Sequence, residues 1–84
     1  MYKELLEYIV KNLVSMPDKV NIEEIKEDSK LTIKLGVAKD DMGRIIGKEG
    51  RIIRSIREIV SAYATKNKEK VSVLVEEIKE QGEN

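Results

Sequence analysis

Residues 43–54 read Gly-Arg-Ile-Ile-Gly-Lys-Glu-Gly-Arg-Ile-Ile-Arg, and no other stretch narrows the fold of this chain as much. Two apolar pairs, Ile45-Ile46 and Ile52-Ile53, flank the four-residue element Gly47-Lys48-Glu49-Gly50. Glycine lacks a Cβ, so glycines at both ends permit a sharp turn and let another backbone come close. Beyond Gly50 the apolar residues fall at helical spacing, so the turn opens onto a helix N-terminus. Such an end offers unpaired N–H donors and partial positive charge, which suit a phosphate. Arg44, Lys48, Arg51 and Arg54 cluster around it.

Eighty-four residues make one domain, expected over 1–78, with 79–84 as a flexible tail. The chain has no Cys, which excludes disulfides, thiol catalysis and zinc-finger chemistry, and no His, the commonest general base and metal ligand. No apolar run approaches the roughly 20 residues that span a bilayer. Acidic residues interrupt the apolar positions of the opening segment, unlike a signal peptide, so a cytoplasmic protein is expected. Sixteen basic and 16 acidic residues cancel, and their distribution then matters more than their sum. Between residues 43 and 57, Arg44, Lys48, Arg51, Arg54 and Arg57 face Glu49 alone, a local excess of four positive charges.

Along the chain, Leu5, Leu6, Ile9, Val10, Leu13 and Val14 predict an amphipathic helix over 2–15, stopped by Pro17. Val20 and Ile22 alternate, but Ile25 falls out of phase, which predicts either a bulge or an early end to a first strand. Glu27-Asp28-Ser29-Lys30 turns into Leu31, Ile33, Leu35 and Val37, so the two strands form an antiparallel hairpin. Lys39-Asp40-Asp41-Met42 begins a short helix, its acidic pair suited to the positive end. Asp40 and Asp41 have no third ligand in sight, so no metal site is expected. Gly43 inside that helix marks a close helix approach. After the turn, Ile52, Ile56, Ile59, Val60 and Tyr63 share one face of a helix running to about residue 65, with Ile53 at the edge of the stripe. Val71, Val73 and Val75 form a third strand, Leu74 lies on its other face, and Ile78 is the last residue with a claim to packing.

The order is helix, strand, strand, helix, turn, helix, strand. With the glycine turn, it resembles the KH domain, whose signature Ile-Gly-x-x-Gly is filled by Ile46-Gly47-Lys48-Glu49-Gly50, followed by Arg51. The resemblance implies an α+β, type II KH fold, α-β-β-α-α-β, with a three-stranded mixed sheet and helices on one face. The last strand, reached by a helical crossover, is expected parallel to the second with a right-handed connection. In length and layout the chain is similar to small stand-alone bacterial KH-domain RNA-binding proteins. Pro17-Asp18 after the first helix and Val37-Ala38 before the first short one are shared with them.

That family clamps the backbone of about four single-stranded nucleotides in the Gly-x-x-Gly loop and lays the bases over an apolar groove. The resemblance therefore implies single-stranded RNA binding, in a post-transcriptional regulator or RNA chaperone. Gly47 and Gly50 admit the RNA backbone, Lys48 pairs with a phosphate, and Arg51 and Arg54, three residues apart, continue the track. Arg44 approaches from the preceding helix, and Ile45, Ile46 and Ile53 are candidates for the groove floor. Glu49 brings a negative charge close to the phosphate. Other modules fit worse. Aromatic base platforms need more than Tyr2, Tyr8 and Tyr63. A P-loop needs Gly-x4-Gly-Lys followed by Ser or Thr, whereas three residues separate Gly43 from Gly47 and Glu49 follows Lys48. No catalytic constellation, cofactor or small-molecule substrate is expected. The alternative function is a protein-interaction module, as a homodimer or a heteromer with a larger KH-containing RNA-binding protein, in cell-division or cell-envelope regulation.

Overall fold

The computed structural model describes residues 2–78; the expected tail lies outside them. Helix α1 spans Tyr2–Lys11 and buries Tyr2, Leu6 and Val10. It ends before Pro17 can stop it. The Asn12 side chain donates to the Tyr8 carbonyl (2.7 Å), the acceptor that the Asn12 N–H would use to extend the helix. That N–H turns to Ile9 O instead, at 3.3 Å. Pro17 opens a 3-10 turn, Pro17–Lys19.

Strands β1 (Asn21–Glu27) and β2 (Lys30–Val37) pair antiparallel without a break, from Asn21 opposite Gly36 to Glu27 opposite Lys30. Neither a bulge nor an early end occurs. Ile25 lies opposite Thr32 and so belongs to the face away from Ile22, as its phase requires; the strand simply continues with an apolar residue on its outer face. Asp28 adopts φ 52°, a conformation Asp tolerates, and so closes the hairpin in two residues.

A 3-10 turn (Lys39–Asp41), helix α2 (Met42–Ile46), a further 3-10 turn (Lys48–Gly50) and helix α3 (Arg51–Lys66) then cross to β3 (Lys70–Glu77). β3 runs parallel to β2, and the strand order is β1-β2-β3. Ile22, Ile33, Leu35, Val37 and Val73 on one sheet face join Leu6, Val10, Ile45, Ile53, Ile56 and Val60 from the helices in a single core. This is the α+β layout expected, with three helices on one face of a mixed sheet.

Helix α3 is rotated from its expected setting. Ile53, Ile56, Val60 and Ala64 are buried, while Ile59 and Tyr63 are 44% and 39% exposed. The sequence holds two apolar ladders that share Ile56 and Val60, and the docked helix turns the one starting at Ile53 inward. On the opposite sheet face, Ile78 packs over Gly36, where an added Cβ would stand 2.8 Å from Ile78 Cγ1. The Ile78 N–H donates to Val37 O (2.9 Å). Leu74 on that face stays half-exposed. No described helix is long and apolar enough to cross a membrane.

Candidate functional site

Helix α2 has only five residues, too few to hold a direction by its own hydrogen bonds. Met42 and fully buried Ile45 anchor it to the core. Gly47 ends it with φ 78°, ψ 172°, and its N–H donates to Gly43 O at 2.9 Å. Glu49 (φ 55°) and Gly50 (φ 73°) then take two successive left-handed conformations, and Gly50 N–H returns to Gly47 O at 3.1 Å.

The two glycines answer different needs. A Cβ on Gly47 would meet Ile52 Cγ1 at 2.6 Å, so that glycine admits a neighbour from the chain itself. A Cβ on Gly50 would meet nothing within 4 Å, so the approach there is open. No side chain caps the N-terminus of α3 at Gly50. The Arg51 N–H is taken by Lys48 O, and the positive end of a sixteen-residue helix beyond it borders an open, glycine-lined surface. Gly43 has open space around it as well, so the close helix approach expected there does not occur; α2 reaches the core through Met42 and Ile45 instead.

The cations divide by partner. Lys48 is exposed at the loop. Arg51 faces Glu49 at 3.6 Å, both well exposed, a pair that screens Glu49 and contributes little to stability. Arg54 turns back and donates from Nη2 to Glu49 O (3.2 Å), steadying the left-handed residue rather than extending along the helix. Arg44 Nη1 donates to Asp41 Oδ1 at 3.1 Å. Of the three isoleucines expected to floor a groove, Ile45 (0% exposed) and Ile53 (7%) lie in the core. Only Ile46, 37% exposed, offers apolar surface beside the loop.

Sequence reasoning missed two residues. Arg57 reaches from α3 to the edge strand, donating from Nε (3.2 Å) and Nη2 (3.0 Å) to Val73 O. It helps line a cleft of about 370 Å³ with Val60, Ser61, Val71, Ser72 and Val73. Its place in the local cation excess was visible, but its partner is a strand carbonyl sixteen residues away. Asp41 is the other. It sits at the N-cap position of α2 without capping it, and is fully buried. The Ser15 N–H and O–H and the Met16 N–H donate to its carboxylate. The Ser15 N–H above all, then the Ser15 hydroxyl, the Met16 N–H and the Arg44 charge, hold this carboxyl below its ordinary range, against the opposing effect of burial. A second cleft, lined by Tyr2, Glu24, Lys26, Leu31, Asn67 and Glu69, contains none of the expected site residues. Tyr2 Oη donates there to Glu69 Oε1 at 2.6 Å.

A mixed three-stranded sheet under three helices, with a glycine-bracketed turn between the last two, defines a KH domain. The profile of the family described as KhpA/KhpB, KH domain, matches residues 3–75, and the chain belongs to that family. It is 46% identical over 77 residues to the RNA-binding protein KhpA of Chlamydia pneumoniae, covering 92% of this chain and 99% of the relative. It is 49% identical over 69 residues to the protein of the same name from Listeria monocytogenes, covering 82% and 91% of the two chains. With that from Clostridium acetobutylicum it shares 44% over 71 residues, covering 84% and 95%.

Proposed function

We propose that this protein binds single-stranded RNA through the Gly47–Gly50 loop and acts in the cytoplasm as a post-transcriptional regulator or RNA chaperone. The observation that carries the reading is the open surface at Gly50, beside the uncapped N-terminus of α3. There a sugar-phosphate chain meets backbone N–H groups without a side chain in the way. Lys48 supplies a point charge to one phosphate, and Arg51 continues the track. Arg54 supports it by fixing Glu49. Ile46 gives the first base an apolar surface, and the cleft at Arg57 and Val73 extends the path along the edge strand. The names of the bacterial relatives, RNA-binding proteins of nearly the same length, support the same reading. A labelled single-stranded RNA should bind more weakly as salt rises, because each phosphate contact releases counterions. Salt-independent binding would rule out the phosphate clamp.

A second reading is assembly, with a second copy or a larger KH-containing protein, in cell-division or cell-envelope regulation. Exposed Ile59 and Tyr63, four residues apart on α3, favour it by leaving an apolar strip uncovered. Crosslinking in cells with sequencing, alongside affinity capture, separates the readings: RNA without a protein partner supports the first, and the reverse supports the second.

A further inference from the structure

Among the described residues, Asp41 is the one charged side chain that is buried. Both its oxygens are engaged. Oδ1 accepts from Ser15 N–H (2.9 Å), Ser15 O–H (2.8 Å) and Arg44 Nη1 (3.1 Å), and Oδ2 accepts from Met16 N–H (3.0 Å). These donors come from two parts of the chain, the connection between α1 and β1 and the single turn of α2. Charge-assisted bonds of this kind fix direction, which apolar contacts alone leave loose. The element they fix is α2, whose last residue, Ile46, hands the chain to Gly47.

Arg44 is committed to the same knot. Its Nη1 also donates to the Asp40 carbonyl at 3.4 Å. Its positive charge therefore faces the Asp41 carboxylate and a backbone carbonyl, and its Nη1 is already engaged within the chain. Lys48, in contrast, has no ion-pair partner among the described residues.

We propose that Asp41 is the positioning residue of the Gly47–Gly50 loop, and that Arg44 serves RNA binding through Asp41 and not by touching phosphate. The inference rests on the RNA-binding reading above, and its test separates the two. Affinity for a fluorescently labelled, random-sequence single-stranded RNA is measured over a salt series for the wild type, Lys48→Ala, Arg44→Ala and Asp41→Asn. Each single-strand phosphate contact adds about 0.7 to the slope of log affinity against log salt. Lys48→Ala should lower the slope by about that amount. Arg44→Ala should weaken binding several-fold at every salt concentration and keep the wild-type slope. A slope lowered as in Lys48→Ala, or wild-type affinity in Arg44→Ala, overturns the proposal.

Asp41→Asn should weaken binding similarly, with the Asp41→Asn/Arg44→Ala pair no weaker than Asp41→Asn alone; additive losses would separate the two residues and overturn it. If Asp41→Asn does not fold, the Arg44→Ala slope decides. A readout without RNA uses Ser15→Ala, which removes one donor to Asp41 from an exposed position far along the chain. The amide NMR signals of Gly47, Lys48, Glu49 and Gly50 in the free protein should shift, and unmoved signals overturn the positioning role. A wild-type chain that ignores RNA while these amides shift overturns the binding reading and the role of Arg44 in it, and upholds Asp41 as the residue that sets the loop.

Discussion

Ile52 stands so close over Gly47 that a Cβ on the glycine would lie 2.6 Å from Ile52 Cγ1 and 2.9 Å from the Ile52 nitrogen. One of those atoms is backbone, so the clash cannot be relieved by a rotamer change alone. Gly47→Ala also forces φ 78° on a residue with a Cβ. With ψ 172° that φ lies in a region essentially reserved for glycine, at a cost of about 1–3 kcal/mol, and overpacking adds about 1–3 kcal/mol more. Gly50→Ala meets only the left-handed cost of about 1–2 kcal/mol, since its surroundings are open. Denaturant unfolding should therefore show Gly47→Ala as clearly the more destabilised. Equal losses would contradict the packing described here.

The loop charges should affect binding without affecting the fold. Lys48 and Glu49 are both exposed, and such positions usually change stability by about 0.5 kcal/mol or less. Asp accepts the left-handed conformation of Glu49 more readily than Glu does. Replacing both with Asp should abolish RNA binding while far-UV dichroism and the melting temperature stay as in the wild type. Binding that persists would place the site elsewhere.

Acid should act on the fold through Asp41. Its folded carboxyl titrates below the unfolded one, chiefly because the Ser15 N–H donates to it. The resulting stability is fully present above the unfolded carboxylate value of about 3.9 and is lost as pH falls through the lower folded value. Thermal melting from neutral pH downward should show this loss, and Asp41→Asn should flatten it. Glu4 is also held low, by its own backbone N–H first, so some acid dependence remains in the variant. An acid limb identical in wild type and Asp41→Asn would show that the buried carboxylate is not responsible.

The rotation of α3 can be read from two alanine substitutions. Ile53→Ala removes a buried side chain and should cost about 2–5 kcal/mol. Ile59→Ala trims a side chain that is 44% exposed and should cost about 1 kcal/mol or less. Urea titration of the two variants checks this directly. The reverse ranking would mean that the other ladder faces the core.

Much of the architecture was legible. Period-two alternation in Leu31, Ile33, Leu35 and Val37 gave a strand with one buried face, and Ile33, Leu35 and Val37 are all fully buried. The order of elements gave the parallel pairing of β2 and β3. The glycines located the turn, but not that Gly47 is filled from within the chain while Gly50 is left open. The end of α1 was misplaced because Asn12 competes locally for the Tyr8 carbonyl, a contact weaker in the sequence than the proline beyond it. Spacing leaves open which of Ile45, Ile46 and Ile53 floor a groove and which are ordinary core, because an isoleucine beside a binding loop and an isoleucine under it recur at the same period.

The sequence by itself determined which segments are helix and strand, their order, and where the chain must turn on glycine. These follow from local sterics and from the period at which apolar side chains recur. Tertiary structure decided which of the two ladders on α3 is buried, that Ile78 covers Gly36, and that Arg57 reaches Val73. It also turned Asp41 from a helix-end charge into a buried knot with Ser15, Met16 and Arg44. The reason is the same in each case: a side chain's partners are set by distance in space, and docking the helices on the sheet brings together residues that no local pattern links.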